Sequence, residues 1–141
     1  MRDMGIIAWM RLAQVYQRVQ RDEAALLGRH HLTIAQFDVL ARLTLHDGIP
    51  QQALADQLLV TKGNVCGLID RMSAQGLVER HAHPTDKRSH LLYLTQAGKQ
   101  LATMIIPIHD AMITRRMGSL SSDESQHLAK LLRRLVQATS T

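Results

Sequence analysis

Residues 61–72 read Thr61-Lys62-Gly63-Asn64-Val65-Cys66-Gly67-Leu68-Ile69-Asp70-Arg71-Met72, and this stretch decides the fold. Its apolar side chains recur at helical spacing, which predicts a helix with one buried face formed by Val65, Leu68, Ile69 and Met72. The opposite face is small and able to form hydrogen bonds, and it consists of Gly63, Asn64, Gly67, Asp70 and Arg71. A glycine inside a helix costs about 1 kcal/mol relative to alanine, so two of them indicate that another molecule approaches this face closely.

A basic hairpin follows this helix. Gln75-Gly76 is typical of a helix C-terminus with a left-handed glycine. Residues 77–83 and 89–95 then predict two strands, with turn residues at Pro84-Thr85-Asp86 between them. We call this hairpin, residues 77–95, the wing. Lys87 and Arg88 beside the turn supply donors that can reach phosphates or a minor groove.

Capping signals mark the other helices. Residues 33–36 and 121–124 form capping boxes, Thr-x-x-Gln and Ser-x-x-Glu, and each opens a helix with an apolar stripe. Pro50 is expected at the first position of a short helix through Leu59. Thr95 is expected to cap a further long helix.

These elements predict a mainly α fold with a small β-hairpin wing, that is, a winged helix-turn-helix with N- and C-terminal dimerisation helices. We expect a single domain over residues 1–141, in which residues 33–95 form the winged helix-turn-helix DNA-binding lobe. Segments 1–30 and 96–141 hold more apolar side chains than so small a lobe can cover, and this surplus predicts dimerisation through their helices.

Composition narrows the class of protein. The formal net charge of +5 and the isoelectric point near 10.0 fit a polyanionic partner. The single cysteine, Cys66, excludes an intramolecular disulfide. No apolar run approaches the ~18 residues needed to span a bilayer, so we expect a cytoplasmic protein without membrane contact. No Gly-rich phosphate loop, GxSxG motif or supported carboxylate pair indicates an enzyme, and no cofactor is expected.

Five short motifs stand in order along the chain. They are Val60-Thr61-Lys62-Gly63-Asn64-Val65, Ile69-Asp70-Arg71-Met72, Gly76-Leu77-Val78-Glu79-Arg80, Asp86-Lys87-Arg88 and Leu94-Thr95-Gln96-Ala97-Gly98. Together with residues 32–40 and 52–55, they make most of the chain resemble the MarR (multiple antibiotic resistance regulator) family of winged-helix transcription factors. The resemblance implies an obligate homodimer that binds double-stranded DNA at an inverted repeat. It also implies a regulator that usually represses and that a small effector releases.

The residues expected to contact DNA are Thr61, Lys62, Gly63, Asn64, Gly67, Arg71, Lys87 and Arg88. The first turns of a recognition helix concentrate major-groove contacts, and an Asn such as Asn64 can bond adenine in bidentate fashion. Thr61 can alternatively serve only as a helix cap. Arg71 lies on the flank, where it can contact DNA or equally bridge Asp70 or another helix.

On the wing, the spacing of Asp86 and Arg88 lets the carboxylate hold the guanidinium in position. The resemblance places Arg88 at the wing tip in the minor groove, although an arginine on a turn is usually only solvated. Lys87 is expected to contact phosphate and so to add affinity rather than specificity.

The resemblance implies an effector site in the cleft between the dimerisation helices and the DNA-binding lobe, and the helices expected to border that cleft carry Trp9, Met10, Tyr16 and Phe37. This set favours a small aromatic carboxylate or phenol. For Trp9, an ordinary role as a large core residue is an equally good interpretation.

The histidines and the cysteine have ordinary interpretations. His30 and His31 could join His109 in a metal site of the kind that some zinc-sensing family members use, but no Cys or Glu completes an obvious ligand set, and no metal is expected. Cys66 is expected to be a small residue packed at the rim between core and groove rather than a peroxide sensor.

A different class of protein stays open beside the regulator. The same fold could serve as a non-DNA-binding helical dimer, an adaptor or ligand carrier whose wing has lost its function. The intact pair of Asp86 and Arg88 and the small polar helix face argue against it.

Overall fold

The computed structural model describes residues 1–58 and 62–140. Along these residues six helices and three short strands follow one another. They are α1 (Met4–Gly28), α2 (Ile34–Leu45), β1 (Ile49–Pro50), α3 (Gln51–Gln57), α4 (Lys62–Ala74), β2 (Val78–Ala82), β3 (His90–Leu94), α5 (Gln96–Arg116) and α6 (Ser122–Thr139). The predicted mainly α architecture with a small hairpin wing is confirmed.

The local capping signals form as predicted. At the start of α2, Thr33 Oγ1 accepts from the backbone N–H of Gln36, while the Gln36 side chain accepts from the backbone N–H of Thr33. The same reciprocal pair opens α6. At the end of α4, Gly76 has a φ of 74° and the N–H of Leu77 donates to the Met72 carbonyl. Such caps satisfy backbone groups that a helix end leaves unpaired, which explains why they fix helix boundaries.

The sheet contains a strand that the sequence did not predict. Its order is β1-β3-β2 with antiparallel pairing, and Ile49 in β1 lies opposite Leu92 in β3. The sequence predicted Pro50 at the first position of a helix, and this prediction was wrong. Pro50 belongs to β1, and α3 begins at the next residue, Gln51. A two-residue strand has no periodicity to detect. The expected end of α3 at Leu59 lies outside the described residues.

An aliphatic core connects the helices to the sheet. The predicted inner face of α4 is confirmed, since its four apolar side chains are at most 3% exposed. They pack with leucines of α2, α3 and β3 and with Ile105 of α5. Phe37 is the one aromatic side chain in the core of the described residues. The core therefore supports α4 from beneath and leaves its outer face free.

The start of α5 is packed tightly against the chain that enters the wing. Thr95 donates its backbone N–H to the Leu77 carbonyl, and its side-chain oxygen accepts from the N–H of Gly98. A Cβ at Gly98 would collide with the Leu77 carbonyl oxygen. Glycine is required here by close backbone approach.

The described chain forms two compact units, Met1–His109 and Asp110–Thr141. The first contains the core and the wing, and along α1 it exposes large apolar side chains, among them Ile6, Trp9 and Val15. In the second, α6 buries no side chain and exposes Leu131, Leu135 and Val136. None of the helices within residues 1–58 and 62–140 combines the length and the hydropathy needed to cross a bilayer.

Candidate nucleic-acid interface

The outer face of α4 is open and polar. Asn64, Asp70 and Arg71 are exposed on it, and Lys62 and Gly63 open the helix. A Cβ at Gly67 would meet only the tip of the Arg71 side chain, at 3.8 Å, so this part of the helix surface is accessible to an approaching molecule. The predicted contact residue Thr61 lies outside the described residues.

The turn of the wing presents two basic side chains and is hydrogen-bonded. Lys87 and Arg88 are exposed, beyond the end of β2 and before β3. The Asp86 carboxylate accepts from the backbone N–H of Arg88 at 3.0 Å. The expectation that Asp86 holds the guanidinium of Arg88 was therefore wrong, because the two-residue spacing brings the carboxylate to the backbone amide. Asp86 shapes the turn and leaves the guanidinium exposed.

A polar network joins the wing to α4, and sequence reasoning missed it. Nη2 of Arg80 in β2 lies 2.6 Å from Oδ1 of Asp70 in α4. Nε of Arg80 also donates to the Gln51 side chain of α3 at 3.2 Å, and Gln51 donates to Cys66 Sγ at 3.3 Å. Asp70 is thus bridged by Arg80 from the wing rather than by Arg71. The partners lie 10 to 29 residues apart in sequence, so no local pattern indicates the network.

A cleft of about 380 Å³ lies between α3, α4 and the wing. Its lining includes Gln51, Cys66, Arg88 and His90. Cys66 lines this cleft at the rim of α4, as expected, but it is exposed there rather than packed. Arg88 of the wing and Cys66 of α4 therefore line the same cleft.

The four residues predicted to bind an effector do not come together. Trp9 and Tyr16 are exposed and border one shallow groove along α1, and Met10, also exposed, accepts a hydrogen bond from Arg2 through its sulfur. Phe37 instead is buried in the core, with its ring centroid 4.1 Å from that of His109. Helical periodicity places Phe37 on the inner stripe of α2, which explains its separation from the exposed set.

A half-buried polar cluster lies beside Phe37 and was also missed. His109 of α5 lies 2.7 Å from the Glu23 carboxylate of α1, and both side chains are less than one-fifth exposed. Burial raises the pKa of the neighbouring Asp38 carboxyl, the charge of Glu23 raises it further, and Arg42 and His109 act in the opposite direction. His109 is thus engaged with Glu23 and Phe37. Within the described residues, no group of three or more His, Cys, Asp or Glu is placed to hold a metal ion.

An exposed helix face of small polar residues beside a basic hairpin defines a winged-helix DNA-binding protein. Comparison with known proteins identifies the family. Residues 30–89 match the sequence model of the family described as the MarR family. Transcriptional regulator HosA of Escherichia coli O111:H- is 33% identical over 107 residues, which cover 76% of this chain and 79% of that protein. The chain belongs to the MarR family, and it is a transcription regulator rather than an enzyme.

Solved structures support the same assignment. An Escherichia coli MarR variant complexed with operator DNA is 29% identical, with a TM-score of 0.82 and coverage of 93% of this chain and 95% of that one. AbsC, a MarR family regulator of Streptomyces coelicolor, has a TM-score of 0.89 at 23% identity over 98% of this chain and 95% of its own, a similarity of fold. The resemblance inferred from the motifs is confirmed.

Proposed function

We propose that this protein is a homodimeric repressor that binds an inverted-repeat operator and is released by a small aromatic carboxylate or phenol. The observation that carries the proposal is the exposed polar face of α4 joined through Arg80 and Asp70 to a wing that exposes Lys87 and Arg88. Together, α4 and the wing form one DNA-binding surface, in which α4 would enter the major groove and the wing the minor groove.

In the proposed complex, α4 enters the major groove with its first turns towards the bases. Asn64 offers an amide that can bond adenine, and Lys62 supplies a cation for the backbone. Gly63 and Gly67 remove side-chain bulk where the duplex comes closest, and Arg71 contacts the flanking backbone. Thr61 would complete the contacts at the start of the helix.

The wing would then reach the adjacent minor groove. Arg88 is the inserted side chain, since a narrow minor groove attracts arginine through its negative potential. Lys87 contacts phosphate, and Asp86 supports the turn from which both side chains extend. Because operator DNA is the partner, we place the protein in the cytoplasm.

Dimerisation is proposed from the apolar side chains that one chain leaves exposed. α1 exposes Ile6 and Val15, and α6 exposes Leu131, Leu135 and Val136. Exposed apolar side chains on two helices are typical of an interface between subunits. A second copy covering them would give the two-fold symmetry that an inverted repeat requires, with half-sites about one helical turn apart.

For the effector, the available surface is the exposed part of α1. Trp9 and Tyr16 offer aromatic faces and Met10 a polarisable sulfur, a combination suited to an aromatic ring. Phe37 would reach a ligand only if the core around it opened. The ligand would release the DNA if it bound more tightly to a dimer in which the distance between the two α4 helices does not match the operator.

The test is selection of operator DNA from a random duplex library by the full chain, followed by binding to the selected duplex at several salt concentrations. We expect an inverted repeat and an affinity that falls steeply with salt. Light scattering of the same preparation should give a dimer. Failure to enrich any sequence, with a dimer still present, would instead favour the adaptor or ligand carrier.

A panel of aromatic carboxylates and phenols should contain compounds that raise the melting temperature and release the selected duplex. Trp9→Ala should reduce both effects. If no compound has either effect, the proposed effector class is wrong, whereas the proposal that the protein binds an operator is unaffected.

A further inference from the structure

The turn at the tip of the wing is built around the ring of His83. Its Nδ1 lies 3.0 Å from the backbone nitrogen of Asp86 and 3.2 Å from that of Thr85, and both N–H groups donate to it. The hydroxyl of Thr85 lies 3.4 Å from the same nitrogen. His83 follows directly after the last residue of β2 and is half-buried. One imidazole nitrogen therefore holds the first half of the turn.

This arrangement continues into the residues that carry the positive charge. Asp86, whose N–H donates to His83, accepts in turn from the N–H of Arg88. A change at His83 Nδ1 is therefore transmitted over two consecutive side-chain caps to the backbone that orients Lys87 and Arg88. Such local caps define turn geometry because they replace backbone hydrogen bonds.

An Nδ1 that accepts two N–H groups carries no proton, which places the ring proton on Nε2. We propose that His83 is a positioning residue for the wing, and that its neutral ring holds Lys87 and Arg88 in the DNA-binding arrangement. A ring protonated on both nitrogens cannot accept, so operator affinity decreases as the pH falls. This inference rests on the proposed contact of the wing with DNA.

Other charged and titratable side chains lie near the His83 ring, so a test of its role must separate their effects from its own. They are Asp86, Lys87 and Arg88 on the turn, His90 opposite Ala82 in β3, and Glu79 and His81 in β2. His81 bonds to Glu79 at 2.9 Å and lies against the Tyr93 ring, so it takes no part in the turn. DNA phosphates favour a protonated ring, which would make affinity rise at low pH. The sign of the pH dependence therefore separates a positioning role from a direct phosphate contact.

The experiment compares His83→Asn and His83→Ala with the wild type in the full chain, by fluorescence anisotropy on the selected operator duplex at fixed ionic strength. Asn can place its Oδ1 where Nδ1 accepts, and it does not titrate. At pH 8 we expect His83→Ala to bind about fivefold to tenfold more weakly, as for loss of a capping acceptor, and His83→Asn to bind within about twofold of the wild type.

Between about pH 8 and pH 5 the wild type should lose affinity relative to His83→Asn. His81→Asn, on the same strand but outside the turn, should keep the wild-type pH profile. Nitrogen NMR of the free protein should show His83 with an unprotonated Nδ1 and a protonated Nε2 at pH 8.

The inference is overturned if His83→Ala binds like the wild type at pH 8, if Asn fails to restore affinity, or if the wild type and His83→Asn share one pH profile. Arg88→Ala distinguishes this failure from failure of the proposed wing contact. If Arg88→Ala weakens binding and the His83 variants do not, the wing contacts DNA without depending on His83. If Arg88→Ala has no effect, the wing contact itself is wrong.

Discussion

Arg80 Nη2 in the first strand of the wing lies 2.6 Å from Asp70 Oδ1 on α4. In the proposed complex, this pair would hold α4 and the wing at the separation that binding in two different grooves requires. The Arg80 side chain is 27% exposed and that of Asp70 64%, so solvent screens the ion pair and its effect on folding stability is small. We expect the pair mainly to fix the position of the wing relative to α4.

We predict that Arg80→Ala weakens operator binding by ~1–2 kcal/mol because the wing loses its position relative to α4. The slope of the logarithm of the binding constant against the logarithm of the salt concentration should stay unchanged, since no phosphate contact is lost. Asp70→Ala should have a similar effect, and the double variant should lose less than the sum of both. A slope reduced by about one would show that Arg80 contacts a phosphate directly.

We predict that Arg88→Ala weakens operator binding by ~1–3 kcal/mol without lowering the melting temperature, because the side chain is exposed. Lys87→Ala should cause a smaller loss and should reduce the salt slope by about one. Anisotropy titrations at physiological salt measure both. Wild-type affinity in Arg88→Ala would mean that the wing does not enter the minor groove.

We predict that Gly98→Ala lowers the free energy of unfolding by ~1–3 kcal/mol, because its Cβ would overlap the Leu77 carbonyl oxygen. Gly67→Ala is the matched control in another helix, where the added Cβ meets only the tip of the Arg71 side chain, at 3.8 Å. It should raise stability by up to about 1 kcal/mol through helix propensity, yet weaken operator binding. Urea unfolding measures stability, and equal effects of the two substitutions on stability would contradict the packing argument.

We predict that Asp38→Asn raises the melting temperature near neutral pH. Burial, followed by the charge of Glu23, raises the pKa of the Asp38 carboxyl above 3.8, so the folded state holds this proton more tightly than the unfolded state. The resulting stability is present at low pH and is lost as the pH rises through the raised pKa. The advantage of Asn should therefore shrink on acidification. Thermal melts from pH 4 to pH 7.5 check this; a lower melting temperature for Asn at neutral pH would show that attraction to Arg42 and His109 dominates.

We predict that Cys66→Ser binds operator within about twofold of the wild type, because the thiol is exposed and its contact with Gln51 can be made by a hydroxyl. Peroxide should affect both proteins alike, since the chain holds no second cysteine to resolve an oxidised one. Anisotropy before and after peroxide treatment is the measurement. Release of DNA that occurs only in the wild type would make Cys66 a redox switch.

The features that the sequence determined by itself are local. The buried and exposed faces of α4 follow from helix periodicity, and the boxes at Thr33 and Ser121 and the turn at Gly76 follow from hydrogen bonds that span three to five residues. Family membership could also be read from the order of short motifs. Such patterns are visible because their partners lie within one or two helical turns.

The tertiary structure decided everything that depends on residues distant in the chain. The pairing of Ile49 with Leu92, the bridge from Arg80 to Asp70 and the burial of Glu23 against His109 each join separate elements. Spacing fixes which atoms can meet, whereas the packing of the whole chain determines which of the possible contacts forms.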